Sequence, residues 1–584
     1  MSVKKKYLLL PLVLLSFLAV PHLRRWKELG RNYTTLLLDG QGTTQTSFEE
    51  TYAYASLANR FRFNQPINDV GTFEYRNSAS PLISELIPAV IVGTIAKLVD
   101  VSEAVILVKI IFPVFLVMVW YAIGVEIGLL PVNSLAASLA AVFLPQLYVL
   151  IPYFRSLTYL TDPQLEFQRI FHPLISGLMI AVTILLIISG LKYLSNARLK
   201  ILAGISLGLL FYTYIFSWTL AIGAIGLLLI SLMVEKDWKK FKWLLMVLGV
   251  GLLIAFPYLI NAWVFHKSVL SPDFWAKSVY LEKQNYFFII ARCLALIITM
   301  VVINRQWYVS AQRRLLIFLL FSTIALPVIS QIILGVNLEA DHWIVRFFYP
   351  ISTFLMIGTA GELILKYLPR FSKIFVGLTL ALVLIRILSW EFTELKKPIG
   401  DFQLSPARRE LYAWMDNNIK PGSVLGSLSF IEEFYLTAYT SYYPYISQTF
   451  RTVATTDEML NRYLYLTQIM QFKSDYFNEM LRVPLSPLPF ADIPSQDQRI
   501  YASIFGLKYY HDVAPYPIHQ KLIESINEKQ KIPTSSNGRL DYLLITTTDR
   551  LFSARNWEAN CRTLFSKGVY QVYSFSECEQ VGGI

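Results

Sequence analysis

Charge is the first thing this sequence lacks. Only 16% of its 584 residues are Asp, Glu, Lys or Arg, against about 25% in ordinary soluble domains, which argues against a soluble enzyme. Cysteine is scarce too. Three residues exclude a disulfide scaffold, and 27 glycines exclude a collagen-like chain. There is no P-loop, dinucleotide glycine pattern, HExxH or CxxC, so nucleotide-driven pumping and zinc-protease chemistry lose support. What is abundant is apolar: 55% of residues are hydrophobic and the mean hydropathy is +0.47, which excludes disorder. The apolar residues gather in runs long enough to cross, or nearly cross, a hydrocarbon core of about 30 Å. Lys+Arg (52) exceeds Asp+Glu (40) by 12. In a membrane protein that excess reports topology and anionic lipid, not nucleic acid.

Twelve apolar runs stand at 7–22, 81–99, 104–124, 134–152, 172–191, 201–216, 217–234, 241–264, 286–303, 315–335, 343–365 and 374–390. The first follows MSVKKK. Without a clean small-x-small cleavage site before Pro21, it reads as a retained anchor and not a signal peptide. Basic residues then set the orientation. Lys4, Lys5 and Lys6 are followed by Lys192, Arg198 and Lys200, and by Lys236, Lys239, Lys240 and Lys242. Arg305, Arg313 and Arg314 come next, and then Lys366, Arg370 and Lys373. The intervening short loops hold only Arg155, Arg169, Lys267, Lys277 and Lys283. Lys and Arg accumulate on the cytoplasmic side, and all five clusters reach it only if one run between 22 and 192 does not cross. The candidate is 81–99, where Glu85, Lys97 and an internal Pro88 suit the interface better than the bilayer centre. The alternative, that 81–99 spans and another segment fails, stays open.

The expected architecture is a polytopic α-helical membrane protein with about eleven transmembrane helices over 1–392. Its chain starts on the inside, and exported loops lie at 22–103 and 153–171. An exported C-terminal α/β domain covers 393–584. There Leu411, Trp414 and Met415 mark an amphipathic helix ending near Pro421-Gly422, with a short strand after it. RLDYLLITTTDRLF and GVYQVYSF read as further strands. Cys561 and Cys578 share this tail and can pair if the compartment is oxidising.

The acids collect on the exported side. Asp39, Glu49, Glu50, Asp69 and Glu74 lie in the first loop. Asp162 and Glu166 lie in the second, beside Arg155, Arg169 and His172. A late outside turn carries Glu339, Asp341 and His342, with Arg346 just inside the next span. Any water-exposed loop holds acids at no cost, so solvated loops account for most of these. Glu49 and Glu50 stand apart in SFEETYAYASLANRF, where a carboxylate near a membrane face can act as general base or metal ligand. Adjacent helical side chains do not share a face, so one of the two does the chemistry. Arg346, in DHWIVRFFYP, offers a planar fork suited to phosphate oxygens. A salt bridge to Asp341, or snorkelling, is the competing account. Tyr212, Tyr214 and Trp218 in FYTYIFSWT read as an aromatic belt before a sugar platform.

This layout resembles the GT-C glycosyltransferases, membrane enzymes that use polyprenyl-phosphate sugar donors on the non-cytoplasmic face. Its pattern resembles that of the oligosaccharyltransferase catalytic subunit, and other branches such as protein mannosyltransferases and the aminoarabinose transferase share the first-loop acid. FEETYAYAS stands where that family has its first-loop acid, followed by the non-crossing 81–99. VKIIFPVFLVMVWYAIGVEIG (108–128) resembles the family's next span. The stretch 136–166 then repeats its small-residue span, proline, Arg155-Ser156 pair and acid, Asp162. Two departures are plain. Asp162 is followed by Pro163-Gln164, with the next acid at Glu166, and SLSFIEEFY replaces the Trp-Trp-Asp motif that reads the acceptor sequon. The resemblance implies a lipid-linked sugar donor and a protein, lipid or glycan acceptor. It implies Glu50 or Glu49 as base, and Arg346 on the donor phosphate with Asp341 nearby. Asp162 and Glu166 would orient the acceptor or hold a divalent ion, and Arg155 and His172 would bind substrate. A divalent cation, Mg or Mn, would fall to Glu50 and Asp162. Two non-enzymatic readings stand beside it: a carrier for an envelope lipid or polymer, which predicts charges within the spans, and an assembly scaffold whose tail works alone.

Overall fold

A chain in hydrocarbon must satisfy every backbone N–H and C=O within itself, so the apolar runs become helices. The computed structural model describes residues 9–36, 54–145, 170–278, 310–334, 340–427, 430–447, 451–471, 538–546, 549–550 and 553–582, with single positions at 291, 294 and 298. Among them, seven helices are long and apolar enough to cross a membrane: Val101–Glu126, Pro173–Lys192, Ile215–Val234, Trp238–Lys267, Ala311–Ser330, Ile344–Tyr367 and Pro369–Lys396. The chain is a polytopic helical membrane protein. The first run forms the helix Leu9–Leu29, and the run at 286–303 falls almost wholly outside the described residues.

Two expected spans are shorter than the sequence suggested. Pro131–Phe143 and Ala197–Leu209 have 13 residues each, about 20 Å of helix. The first leads into 146–169, outside the described residues. The second passes into a 3-10 turn at Leu210–Tyr212. In the run at 81–99, Pro81–Glu85 forms a 3-10 turn, and the helix that follows, Leu86–Ala96, has 11 residues. At about 16 Å it cannot cross a core of about 30 Å.

The molecule divides into two compact units. Unit 1 comprises 1–27, 105–259 and 281–397; unit 2 comprises 28–104, 260–280 and 398–584.

Unit 1 is a helical bundle closed by small residues, as expected where packing and not the hydrophobic effect joins helices. The indole of Trp243 fills the space over Gly190. Gly204 and Gly208 let Ala197–Leu209 lie against Val250, Gly251 and Ile254. A Cβ at Gly208 would stand 2.5 Å from the Ile254 Cβ and 2.7 Å from the Gly251 carbonyl oxygen. Gly208→Leu is therefore expected to destabilise by about 3 kcal/mol through overpacking, read as a lower unfolding temperature of the detergent-purified protein.

One end of this bundle is tied by ion pairs. Lys192 reaches Glu126 at 3.0 Å. Arg313 bonds the Ile127 carbonyl at 2.9 Å and Glu362 at 3.1 Å. Arg314 pairs with Glu235. These contacts gather the loops that carry four of the five basic clusters to a single end. Ile215–Val234 is 20 residues long, so its first turn lies about 30 Å from that end.

Unit 2 is α/β. Its five strands are β1 (Val424–Gly426), β2 (Tyr443–Pro444), β3 (Tyr542–Ile545), β4 (Thr563–Lys567) and β5 (Tyr570–Ser574). They run in the order β2-β1-β3-β5-β4. β1 is parallel to β2 and β3, and β5 is antiparallel to β3 and β4. The amphipathic helix is Pro406–Asn418, N-capped by the Ser405 hydroxyl, with Leu411 and Met415 in the core. Tyr435, Tyr442, Tyr443 and Tyr445 are all buried in the same core, packing and not presenting their rings. Cys561 and Cys578 form a disulfide, with Cα atoms 4.4 Å apart.

The first loop is built into this unit. Buried Arg60 donates to the Ser441 and Tyr442 carbonyls at 2.9 and 2.7 Å, its guanidinium 3.6 Å above the Tyr443 ring. Arg462 pairs with Glu74 at 2.8 Å, and Arg451 with Glu85 at 3.1 Å. Asp69, fully buried, takes four donors: the amides of Gly71, Thr72 and Val453, and the Thr452 hydroxyl. Burial pushes its carboxyl up to about 7, against the pull of those donors.

Candidate functional site

Two backbone irregularities in unit 1 place the candidate site. After the turn Leu210–Tyr212, Tyr214 is fully extended (φ −174°, ψ 132°) before the helix Ile215–Val234 begins. The span carrying Arg346 opens on a π-helical turn, Ile344–Phe348. Such turns widen a helix by one residue and often mark functional positions. His342 sits one turn earlier, in Ala340–Trp343.

These breaks bring three polar side chains together. Arg346 donates through Nη1 to the Tyr214 hydroxyl. Its Nη2 lies 3.1 Å from His342 Nε2, and His342 Nδ1 lies 2.6 Å from Tyr214 Oη. Arg346 is only 7% exposed. Its hydrogen-bond partners among the described residues are Tyr214 and His342, and no carboxylate is one of them. Aromatic rings flank the histidine of this trio. Phe216 meets the His342 ring at 4.7 Å and the Trp343 ring at 4.6 Å, while Trp343 Nε1 reaches Thr219 Oγ1 at 3.3 Å. A buried cation is costly unless an opposite charge meets it. Chemically, the arrangement can hold an anionic oxygen, with a guanidinium aimed by two neighbours.

The aromatic-belt reading of FYTYIFSWT gives way to specific roles. Tyr214 belongs to the trio. Trp218 stacks on Phe211 at 4.5 Å, 9° from parallel. The Tyr212 hydroxyl donates to the Ile254 carbonyl at 3.1 Å and accepts from the Tyr258 amide at 3.0 Å. Those two backbone groups are an ordinary i, i+4 helix pair. Tyr212 is therefore spliced into the hydrogen-bond ladder of Trp238–Lys267 beside its internal Pro257.

The remaining sequence-derived candidates are placed in part or not at all. Glu49, Glu50, Arg155, Asp162 and Glu166 lie outside the described residues. His172 is on a π-helical turn, Ile170–Ile175, and Asp341 is on the short helix before Arg346; the side chains of both lie outside the described residues. Among the described residues no group of three His, Cys, Asp or Glu could hold a metal ion. Asp69, one of the first-loop acids, is buried and bound within unit 2.

Sequence reasoning missed His342 and Tyr214 as partners of Arg346. The first was legible, since residues four apart share a helix face. The second is 132 residues away and was not. Polar and charged side chains also lie within the bundle. His22, Lys109 and Arg386 are buried in unit 1, at 5%, 7% and 2% exposure.

Fold and site define the class: a polytopic helical membrane protein with an α/β unit, whose late span opens on a buried arginine. No protein-family model matches the chain, and no curated protein matches it. Among solved structures it is similar to a crystal structure of ArnT from Cupriavidus metallidurans bound to undecaprenyl phosphate. The two are 10% identical, the match covers 98% of each chain, and the TM-score is 0.40.

Proposed function

We propose that this protein is a membrane glycosyltransferase of GT-C type. It moves a sugar from a polyprenyl phosphate or diphosphate to an envelope or secreted acceptor on the non-cytoplasmic face. The observation that carries this reading is the Arg346 guanidinium. It is buried at the opening of a span, at the end of the bundle away from the basic loops, and hydrogen-bonded to Tyr214 and His342. A lipid phosphate presents its anionic oxygens at that depth, where a planar fork is the best-suited cation. The positive-inside rule makes the basic end cytoplasmic and unit 2 extracytoplasmic, and the Cys561–Cys578 disulfide suits the same side.

In the reaction, Glu50, or Glu49, takes the acceptor's proton as the acceptor oxygen attacks the anomeric carbon. The bonding pair of the broken glycosyl–oxygen bond stays on the phosphate, where Arg346 stabilises the growing charge. Asp162, Glu166, Arg155 and His172 orient the acceptor, and Asp341 flanks the donor. A divalent cation, Mg or Mn, held by Glu50 and Asp162, would add charge for the leaving phosphate. In that case a chelator abolishes turnover and either ion restores it.

The test is turnover of radiolabelled polyprenyl-phosphate sugars in reconstituted membranes, with wild type beside Glu49→Gln/Glu50→Gln and Arg346→Ala. Loss in both variants, with folding intact, supports base and phosphate site together. Turnover that survives both keeps the enzyme and moves the site to Asp162 and Glu166.

A carrier for an envelope lipid or polymer is the second reading, favoured by His22, Lys109 and Arg386 buried among the spans. Movement of the lipid across vesicles without sugar transfer would replace the enzyme reading with it. The tail-only scaffold is disfavoured, because the core of unit 2 includes first-loop residues bound through Arg60, Asp69 and Glu74.

A further inference from the structure

We infer that His342 is a positioning residue, which in its neutral Nδ1–H form links Arg346 to Tyr214 and so aims the guanidinium at an anion. The inference rests on the phosphate-site reading of Arg346 and deepens it.

Proton bookkeeping leads to it. A guanidinium can only donate. His342 Nε2, 3.1 Å from Arg346 Nη2, must therefore accept and carry no proton. The neutral ring then holds its proton on Nδ1, and the hydrogen bonds, not the ring alone, set that tautomer. Nδ1–H donates to Tyr214 Oη at 2.6 Å. The same oxygen accepts from Arg346 Nη1, so the Tyr214 proton is given outside the trio. The imidazole thus fixes the angle between Arg346 and Tyr214, a clamp that aims the guanidinium. Its own ring is held by Phe216, edge-on at 4.7 Å and 77°. Protonated His342 would set N–H against N–H at Arg346 and break that link.

Each ring nitrogen is bonded to a charged or titratable side chain, Nε2 to Arg346 and Nδ1 to Tyr214. A ring without nitrogens should therefore keep the packing and lose the clamp.

The experiment is binding of a short-chain polyprenyl phosphate to the full chain in detergent, by calorimetry, for wild type, His342→Gln, His342→Phe, Arg346→Ala and the His342→Phe/Arg346→Ala double variant. Loss of a hydrogen bond to a charged group predicts affinity about 20-fold weaker in His342→Phe. His342→Gln, which keeps a donor and an acceptor, stays within about threefold. The double variant binds no more weakly than Arg346→Ala alone, because the two residues act as one unit. Histidine-selective 15N labelling supplies a readout that packing would not move. Of six histidines, the resonance lost in His342→Phe should be Nδ1-protonated in wild type and should change tautomer in Arg346→Ala. Wild-type affinity in His342→Phe, additive losses in the double variant, or an Nε2-protonated His342 would each overturn the inference while leaving the phosphate site standing. Wild-type affinity in Arg346→Ala would overturn the phosphate site itself, and the clamp with it.

Discussion

Arg346→Ala should lower kcat/KM for a lipid-linked sugar by about 10²–10³-fold, the largest functional effect of any single change in unit 1. The side chain is 7% exposed, with its guanidinium 5.3 Å from the Tyr214 ring centre, so on the proposed reading its bonds to a phosphate would form out of water, where each charge-assisted bond contributes about 1.5–3 kcal/mol. Two such bonds at the lower end of that range, about 3–4 kcal/mol together, correspond to the stated loss, at about 1.4 kcal/mol per factor of ten. Arg346→Lys keeps the charge and loses the fork, so it should recover about a tenth of wild-type turnover. Raising salt should change the wild-type rate little, because a buried pair is screened far less than an exposed one. Steady-state kinetics in proteoliposomes, with folding checked by size-exclusion profile, decides it. A rate for the alanine variant within threefold of wild type would remove Arg346 from the chemistry.

The largest structural effect should come from Asp69→Ala. Its Oδ1 takes the Gly71 and Thr72 amides at 3.0 and 2.7 Å, and its Oδ2 takes the Thr452 hydroxyl and Val453 amide at 2.8 and 2.7 Å. Alanine strands four buried donors, each costing about 1–3 kcal/mol, partly offset by the charge no longer desolvated. The expected net loss is about 3–5 kcal/mol, a large part of a typical domain's stability. The same residue gives a pH signature. Its carboxyl is raised by burial from 3.8 to about 7, so between those values the folded state binds a proton that the unfolded state has lost. Its contribution to stability is therefore full below about pH 4 and declines as the pH rises toward 7. Asp69→Asn, which cannot ionise, should flatten that slope in thermal unfolding. By the same logic, a fragment of residues 398–584 should not fold alone. It lacks the Asp69 carboxylate that caps Thr452 and Val453, and the Glu74 that meets buried Arg462.

Much of the local structure was legible because it repeats. A 3.6-residue apolar period marked Pro406–Asn418, and β-branched and aromatic runs marked β3 and β5. A proline and end charges marked 81–99 as unfit to cross, and its helix is 11 residues long. What escaped was pairing across long sequence distances. Nothing in FYTYIFSWT announces that the Tyr212 hydroxyl would bond a helix backbone 42 residues on, or that Tyr214 would meet Arg346. The end of Ala197–Leu209 was missed for a related reason. Leu210, Phe211 and Tyr212 are apolar enough to extend a span, and the chain turns there because tertiary partners take up its hydroxyl. Arg386 was overlooked because one cation hardly changes the mean hydropathy of a 25-residue helix.

The stitching of unit 2 also sets a timetable. Asp69 and Val453 are 384 residues apart along the chain. At roughly 5–20 residues per second of synthesis, about 20–80 s separate the emergence of the first loop from that of the segment that completes its core. Throughout that interval Arg60 and Asp69 have emerged without their later partners, while span after span is still being inserted. The first loop must therefore be held open and soluble before the last third of the protein exists. A cell short of the chaperones that guard such segments should lose this protein to proteolysis sooner than one whose domains close in chain order.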